Sequence, residues 1–273
     1  MDPIKGTAAL GAGAVVIGGT GYGVYSYATH DPMPTDYVVL MDSNDKVTAD
    51  TNIGGLYGNY LVAPYGKDAK DNKTWWEWSF RRWQEDFKKG LTFSSDFVVA
   101  NVKYAHRNST ETDTSKGDDK SLNKVCKNVF EKEKASIETT GSSATTNKIL
   151  RDNLWKYCSF FGEEPKTIKE VTGEDYGNNT NGKASETKYI GVKGNDKFWE
   201  ARNKEFYADS GAKSGTGATN NGVFKTEHTN KKNGQISKDI REICKEAYSA
   251  VTTTSNTQYP EADITKFCTL DGK

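Results

Sequence analysis

Apolar residues form one long uninterrupted run, at the N-terminus. The run from Thr7 to Ala28 contains no charged side chain, and it lies between Lys5 and His30. A helix needs roughly 20 apolar residues to cross a bilayer, and a membrane tolerates glycines that would weaken a helix in water. We therefore expect residues 1–30 to form an N-terminal transmembrane helix that contacts membrane lipid.

Two other interpretations of this run were weighed. Ser26 and Ala28 are small residues placed as a signal-peptide cleavage site requires, so secretion after cleavage near Ala28 is the alternative to an anchor. The glycine-rich stretch 18–23 resembles a nucleotide-binding turn. Such a turn must be followed by a long helix, and Pro32 and Pro34 prevent one here.

Charges beside the run indicate its orientation. Lys5 precedes it, whereas Asp31 and Asp36 follow it. Because basic residues favour the cytoplasmic side, the N-terminus is expected inside the cell. The chain is then a single-pass protein of the cell membrane, with its large domain extracellular.

Beyond the anchor, the clearest pattern is that of an amphipathic helix. Thr74 and Glu77 have the spacing of a capping box, and residues 88–90 (Lys-Lys-Gly) provide a basic last turn and a glycine stop. Between them, large aromatic residues recur at helical spacing. These aromatic residues are Trp76, Phe80, Trp83 and Phe87.

Three short blocks recur in the same order in the two halves of the chain. The matching blocks are 72–77 with 195–200, 122–127 with 240–245, and 154–158 with 264–268. Their shared order predicts an internal duplication over roughly 70–160 and 193–270. The alternative is a chance similarity among amphipathic helices.

The expected fold is mostly α: one N-terminal transmembrane helix and a loop-rich helical ectodomain with an internal duplication. Residues 31–69 are predicted to be an extended linker and residues 163–192 a polar linker. The helical copies are assigned to 70–162 and 193–273. Polar stretches at 107–120, 142–147 and 210–221 are predicted to be loops, because they lack the apolar content that ordering requires.

The four cysteines all follow the hydrophobic run. An even count beyond a membrane segment favours disulfides, and each copy holds one cysteine of each block type. The repeat therefore predicts the pairs Cys126–Cys158 and Cys244–Cys268. Four reduced thiols that pack as small apolar side chains are the alternative.

Composition limits the classes of function. Only 34% of residues are hydrophobic, although 11% are aromatic, so small aromatic cores are expected. The 37 basic and 37 acidic residues balance. A nucleic-acid partner is not expected, because such proteins usually carry a basic excess.

No catalytic, cofactor-binding or metal-ligating residue is predicted. The three histidines lie apart from any zinc-ligand spacing, and neither a Cys-x-x-Cys nor a Gly-x-Ser-x-Gly motif is present. The neighbouring carboxylates Glu163 and Glu164 are interpreted as solvated surface. The histidines are His30, His106 and His228.

The combined pattern resembles the uncharacterised paralogous protein families of haemotropic mycoplasmas. The features that carry the resemblance are the Gly/Ala-rich segment 11–23, the blocks around Trp76 and Trp199, and the aromatic-Cys pairs 157–158 and 267–268. The chain departs from those families in having Tyr157 and Phe267 before cysteine, where Trp is frequent. The resemblance implies a surface protein of a wall-less bacterium, antigenic in role and without an assigned activity.

The expected function is therefore that of a membrane-anchored, surface-exposed protein with an interaction or antigenic role, and not that of an enzyme. Its partner would be a host or envelope protein. One alternative is a membrane-tethered hydrolase whose site is assembled from both copies. Another is a purely structural component of the envelope.

Overall fold

Helices carry most of the regular structure in the computed structural model, which describes residues 32–109, 120–252 and 257–272. Strand pairing among these residues is limited to isolated bridges. The mostly α class is thus confirmed. The nine α-helices of the described residues are α1 (Ile53–Tyr57), α2 (Lys73–Lys88), α3 (Leu122–Phe130), α4 (Ala144–Tyr157), α5 (Asn181–Ala184), α6 (Asp196–Tyr207), α7 (Val223–Lys232), α8 (Ile240–Ser249) and α9 (Glu261–Cys268).

The predicted anchor, residues 1–30, lies outside the described residues. Among the helices that are described, none combines the length and the apolar character that crossing a bilayer requires.

Helix α2 forms where the aromatic spacing predicts it, but it begins two residues earlier than the capping pattern suggests. Asn72, not Thr74, occupies the N-cap position. Trp76 and Trp83 are buried on the predicted face. The chain leaves the helix through Gly90, whose φ of +73° suits glycine.

The interpretation of residues 31–69 as an extended linker is wrong. Leu40, Ile53 and Leu61 are completely buried in the core. Leu61 also forms an antiparallel bridge with Ser159. Full burial of such a side chain contributes about 1.5–3 kcal/mol, which fixes this segment on the helices.

Residues 163–192 are likewise not a polar linker. Ile168, Tyr189 and Ile190 are 2%, 3% and 1% exposed, while the many polar residues between them face solvent. The sequence does not reveal this burial, because the few apolar residues of the segment lie far apart in sequence and meet only in the fold.

The two misjudged segments occupy corresponding places in the two halves. The amide of Leu40 donates to the carbonyl of Leu61 at 2.8 Å, and the amide of Ile168 donates to that of Tyr189 at 2.9 Å. In each pair, the donor residue is the first residue of a short 3-10 helix, which is Leu40–Asp42 in one segment and Ile168–Glu170 in the other. Each segment therefore forms the same turn-and-return structure.

A buried asparagine joins the first of these segments to α2. The side-chain amide of Asn72 donates to the carbonyls of Val38 and Ala63, both at 2.8 Å, and its oxygen accepts from the amide of Val38. The indole of Trp76 donates to the same Ala63 carbonyl at 3.0 Å. This use of the Asn72 side chain explains why it makes no cap hydrogen bond to the helix.

Asn195 makes the same set of hydrogen bonds in the second half. Its amide donates to the carbonyls of Lys166 and Gly191, and its oxygen accepts from the amide of Lys166 at 2.8 Å. The indole of Trp199 donates to Gly191 at 2.9 Å. The two clamps agree bond for bond, and so extend the correspondence well upstream of the blocks recognised in the sequence.

The correspondence also reaches the ends of both halves. The amide of Val62 donates to the carbonyl of Cys158 at 3.0 Å, and the amide of Ile190 donates to that of Cys268 at 2.9 Å. We define the first half as residues 38–161 and the second half as residues 166–271. These halves, and not 70–162 and 193–273, are the units that share one arrangement.

Candidate functional site

One disulfide links two helices within each half. Cys126 of α3 is bonded to Cys158 directly after α4, and Cys244 of α8 is bonded to Cys268 at the end of α9. All four residues have no exposed surface. This is the pairing that the order of the sequence blocks predicts.

The disulfides remove the cysteines from nucleophilic chemistry. Only a free thiolate can attack a substrate or bind a metal, and no free cysteine is present. Their burial among apolar side chains also keeps reductants in solution away from the sulfur atoms. The chemistry of these residues is therefore structural.

A buried arginine connects the two halves. The guanidinium of Arg202 donates to the carbonyls of Phe267, at 2.7 Å, and Leu270 within its own half. It also donates to the hydroxyl of Tyr60 in the first half at 2.6 Å. Glu205 accepts hydrogen bonds from both Arg202 and Tyr60.

Burial sets the electrostatics of this cluster. Arg202 has no exposed surface. Burial by itself lowers the pKa of the guanidinium, but Tyr60 and Glu205 more than offset it, so the pKa of Arg202 is raised and the side chain stays charged. Burial raises the pKa of the Tyr60 hydroxyl, which therefore remains a neutral donor to Glu205.

Arg202 takes the place of a much smaller residue in the first half. There, the Ser79 hydroxyl donates to the carbonyl of Tyr157 at 2.7 Å, as Arg202 does to that of Phe267. The arginine keeps this local bond and adds donors that reach the other half. The sequence does carry a signal for it, since Phe198, Arg202 and Phe206 recur every four residues on one buried face of α6.

Aromatic rings complete the contact between the halves. The ring of Phe198 lies 6.1 Å from that of Tyr60 and 6.3 Å from that of Phe161, measured between centroids. Tyr60 and Phe161 are themselves stacked at 5.2 Å. The contact is thus both apolar and charged.

His228 is the buried histidine of the second half. It is 3% exposed, its ring stacks on Tyr207, and its Nε2 atom has no hydrogen-bond partner. Burial lowers its pKa below the usual 6.5. Ser214 and Gly215 of the predicted loop 210–221 are buried beside it, so part of that loop belongs to the core.

Lys197 lies near the boundary between the halves. Its ammonium donates to the carbonyl of Phe160 at 2.9 Å. Burial, followed by the positive charge of Arg82, lowers its pKa to about 8. Glu163 acts in the opposite direction. A lowered pKa does not by itself make Lys197 catalytic, because structural charge clusters also shift pKa values.

Two open clefts lie on the surface of the described residues. One cleft of about 370 Å³ lies beside Tyr176 and Lys245, and another of about 540 Å³ lies beside Lys245 and Tyr259. Within the described ranges, no group of three or more His, Cys, Asp or Glu side chains could hold a metal. His30, the third histidine, lies outside these ranges.

Two of the six exposed large apolar residues in the described part of the chain lie at the end of α2. Phe87 and Leu91 are each 44% exposed. The Phe87 ring stacks on Trp83 at 5.6 Å and lies 6.3 Å from Phe93. The sequence periodicity placed Phe87 on the buried face, but the helix extends beyond the core before this residue is reached.

A comparison of the chain with protein-family models, with curated proteins and with solved structures finds no match. Function must therefore be argued from the disulfides, from the contact between the halves and from the exposed surfaces.

Proposed function

We propose that the chain is a membrane-anchored protein whose disulfide-stabilised domain is displayed outside the cell and has an interaction role. The N-terminal segment provides the anchor in this proposal, and the partner is a host or envelope protein. The role is not enzymatic, in keeping with the families that the sequence resembles.

The two disulfides are the observation that carries the proposal. Cytosolic reductants keep protein thiols reduced, so structural disulfides are typical of proteins outside the cytoplasm. Here all the cysteines are paired, and they are paired at corresponding positions of both halves. A charged N-terminal flank followed by a long apolar run supplies a route to that compartment.

The matching contacts of the two halves support an internal duplication as the origin of the domain. The two asparagine clamps use the same side-chain atoms on corresponding carbonyls. Chance similarity of helices would not reproduce hydrogen bonds made by the segments outside those helices. The duplicated unit then includes the segments first taken for linkers.

Surface labelling of intact cells tests the location of the domain. The reagent is a membrane-impermeant amine-reactive biotin, and Lys204, with 76% of its side chain exposed, is one accessible target. We expect labelling before the cells are permeabilised, with a cytoplasmic protein remaining unlabelled. Labelling that requires permeabilisation would overturn the proposal.

Alkaline extraction of the membranes separates the anchor from a cleaved signal. An uncleaved transmembrane helix resists extraction, because its removal would expose some 20 apolar residues to water. We expect the chain to stay with the membrane and to keep its N-terminus. Release of a chain that begins at Thr29 would favour secretion over anchoring.

A further inference from the structure

The end of α2 forms a tip that is exposed to solvent. We define the α2 tip as residues 87–92, all of which are exposed. It begins in the last turn of the helix and turns at Gly90. Phe87 and Leu91 are its two large apolar side chains, and each leaves 44% of its surface to solvent.

The tip is positively charged as well as apolar. Lys88 and Lys89 lie between Phe87 and Leu91, and both are exposed. Within the described parts of the chain, neither lysine is joined to a carboxylate by an ion pair. Two cations thus stand beside two exposed apolar side chains without a partner to neutralise them.

The second half shows that the fold does not require this surface. Trp83 of α2 corresponds to Phe206 of α6, so Phe80 corresponds to Asn203 and Phe87 to Ser210. Asn203 accepts a hydrogen bond from the amide of Ile240, and Ser210 is exposed. Helix α6 ends at Tyr207, the counterpart of Gln84, so the second half forms its fold without an equivalent of the tip.

We propose that the α2 tip is a contact site for an anionic lipid surface. Phe and Leu side chains enter the boundary between headgroups and acyl chains, and nearby lysines remain at the headgroups. Anionic headgroups also attract each lysine that approaches the surface. The proposal rests on the membrane tether of the proposed function, which keeps the tip within reach of a bilayer.

Tryptophan fluorescence in vesicles tests the contact directly. The full-length chain is prepared as Phe87→Trp and, as a matched control, as Ser210→Trp at the corresponding position of the second half. Both are mixed with excess phosphatidylcholine vesicles, with and without phosphatidylglycerol, whose acyl chains carry bromine as a quencher. Background quenching stays low, because all six native tryptophans are at most 4% exposed.

The expected result is a loss of emission from Phe87→Trp, but not from Ser210→Trp, in vesicles that contain phosphatidylglycerol. Adding Lys88→Ser and Lys89→Ser to Phe87→Trp should reduce this quenching, and so should raised salt. Equal quenching of the two tryptophan variants, or none with anionic vesicles, would overturn the proposal. The second outcome would leave a protein partner for the tip.

Flotation of the unmodified chain with the same vesicles reads the tether separately. If the chain does not float, the anchor is refuted. The difference in quenching between Phe87→Trp and Ser210→Trp in excess vesicles still reports whether the tip contacts lipid. Failure of the tip contact and failure of the tether are thus distinguished.

Discussion

Single polar side chains decide how the segments of this fold are held together. Asn72 and Asn195 tie the start of each half to its long helix, and Arg202 ties the halves to each other. A buried polar group contributes chiefly because leaving its partners unsatisfied is costly. We expect substitutions at these positions to lower the free energy of unfolding more than substitutions that remove side chains of similar size from the surface.

Asn72→Ala and Asn195→Ala are predicted to lower the free energy of unfolding by about 1–3 kcal/mol each. Each removes the acceptor of the Val38 or Lys166 amide. Each also removes one donor from carbonyls that keep an indole or backbone N–H donor. Urea denaturation would measure both. Asn101→Ala is the control, because the hydrogen bond of Asn101 to Ser95 is exposed. If Asn72→Ala and Asn195→Ala lowered the free energy of unfolding no more than Asn101→Ala does, the stabilising role of the two asparagine clamps would be refuted.

Arg202→Met is predicted to destabilise the protein by about 3–5 kcal/mol. It leaves Glu205, which is only partly buried, without its cation, and it removes the donors to the buried carbonyls of Phe267 and Leu270. Tyr60→Phe removes the hydroxyl that joins Arg202 to Glu205 and is expected to cost about 1–3 kcal/mol. The loss in the double variant should be smaller than the sum of the two single losses.

Lys204→Met is the control on the same helix. Its ion pair with Glu200 is exposed, so its loss should change stability by less than about 1 kcal/mol. Strict additivity of Arg202→Met and Tyr60→Phe would mean that the contact between the halves is not energetically coupled.

His228 is predicted to make the fold less stable in mild acid. Its folded pKa is lowered by burial, so the unfolded chain binds a proton at a higher pH than the folded chain does. The stability that neutral His228 provides is complete above its unfolded pKa of about 6.5 and is lost as the pH falls through the lower, folded value.

Urea denaturation at pH 7.5 and at pH 5 would measure this effect. His228→Gln should show a smaller decrease between the two pH values than the unmodified chain, since glutamine does not titrate. Acid sensitivity of equal size in both proteins would assign the effect to other groups.

At the scale of elements, the two halves show which features belong to the fold and which are local. The turn segments, the asparagine clamps and the disulfides recur in both. Of these two helices, only α2 carries the exposed aromatic tip, and only α6 carries the fully buried arginine, Arg202. Recurrent features are expected to affect stability, whereas the tip is expected to affect binding alone.

The disulfides should stabilise their halves to similar extents. They join residues 32 and 24 positions apart in sequence. For loops of this length, constraint of the unfolded chain corresponds to about 3–4 kcal/mol. Replacing Cys126 and Cys158 together by Ser, or Cys244 and Cys268 together, should each lower stability by that order in thermal denaturation.

If only one of the two double variants lost stability, the two disulfides would not have equivalent roles. Reduction of the unmodified protein provides a comparison, because it should lower stability at least as far as either double variant does.

Sequence reasoning succeeded where one short stretch carries the whole signal. The helix α2 has its aromatic periodicity, and the cysteines lie in blocks whose order implies their pairing. It failed for Leu40, Ile53 and Leu61, since short apolar stretches without a helical or strand period reveal their burial only when distant segments meet. It also gave no hint that Asn72 serves the turn segment in place of the helix, because that choice depends on tertiary contacts.

At the scale of the whole molecule, the contact between the halves makes them one folding unit. It combines the stacked rings of Tyr60, Phe161 and Phe198 with the buried Arg202. The interaction role that we propose would rest on the outer surfaces.

The most direct test of the central claim, an external domain held by two disulfides, is the thiol state of the native protein. Cells are lysed in an alkylating reagent, and the protein is digested without reduction for mass spectrometry. The predicted result is two linked peptides, Cys126 with Cys158 and Cys244 with Cys268, and no alkylated cysteine. Alkylation of all four cysteines would place the domain in a reducing compartment and contradict the account.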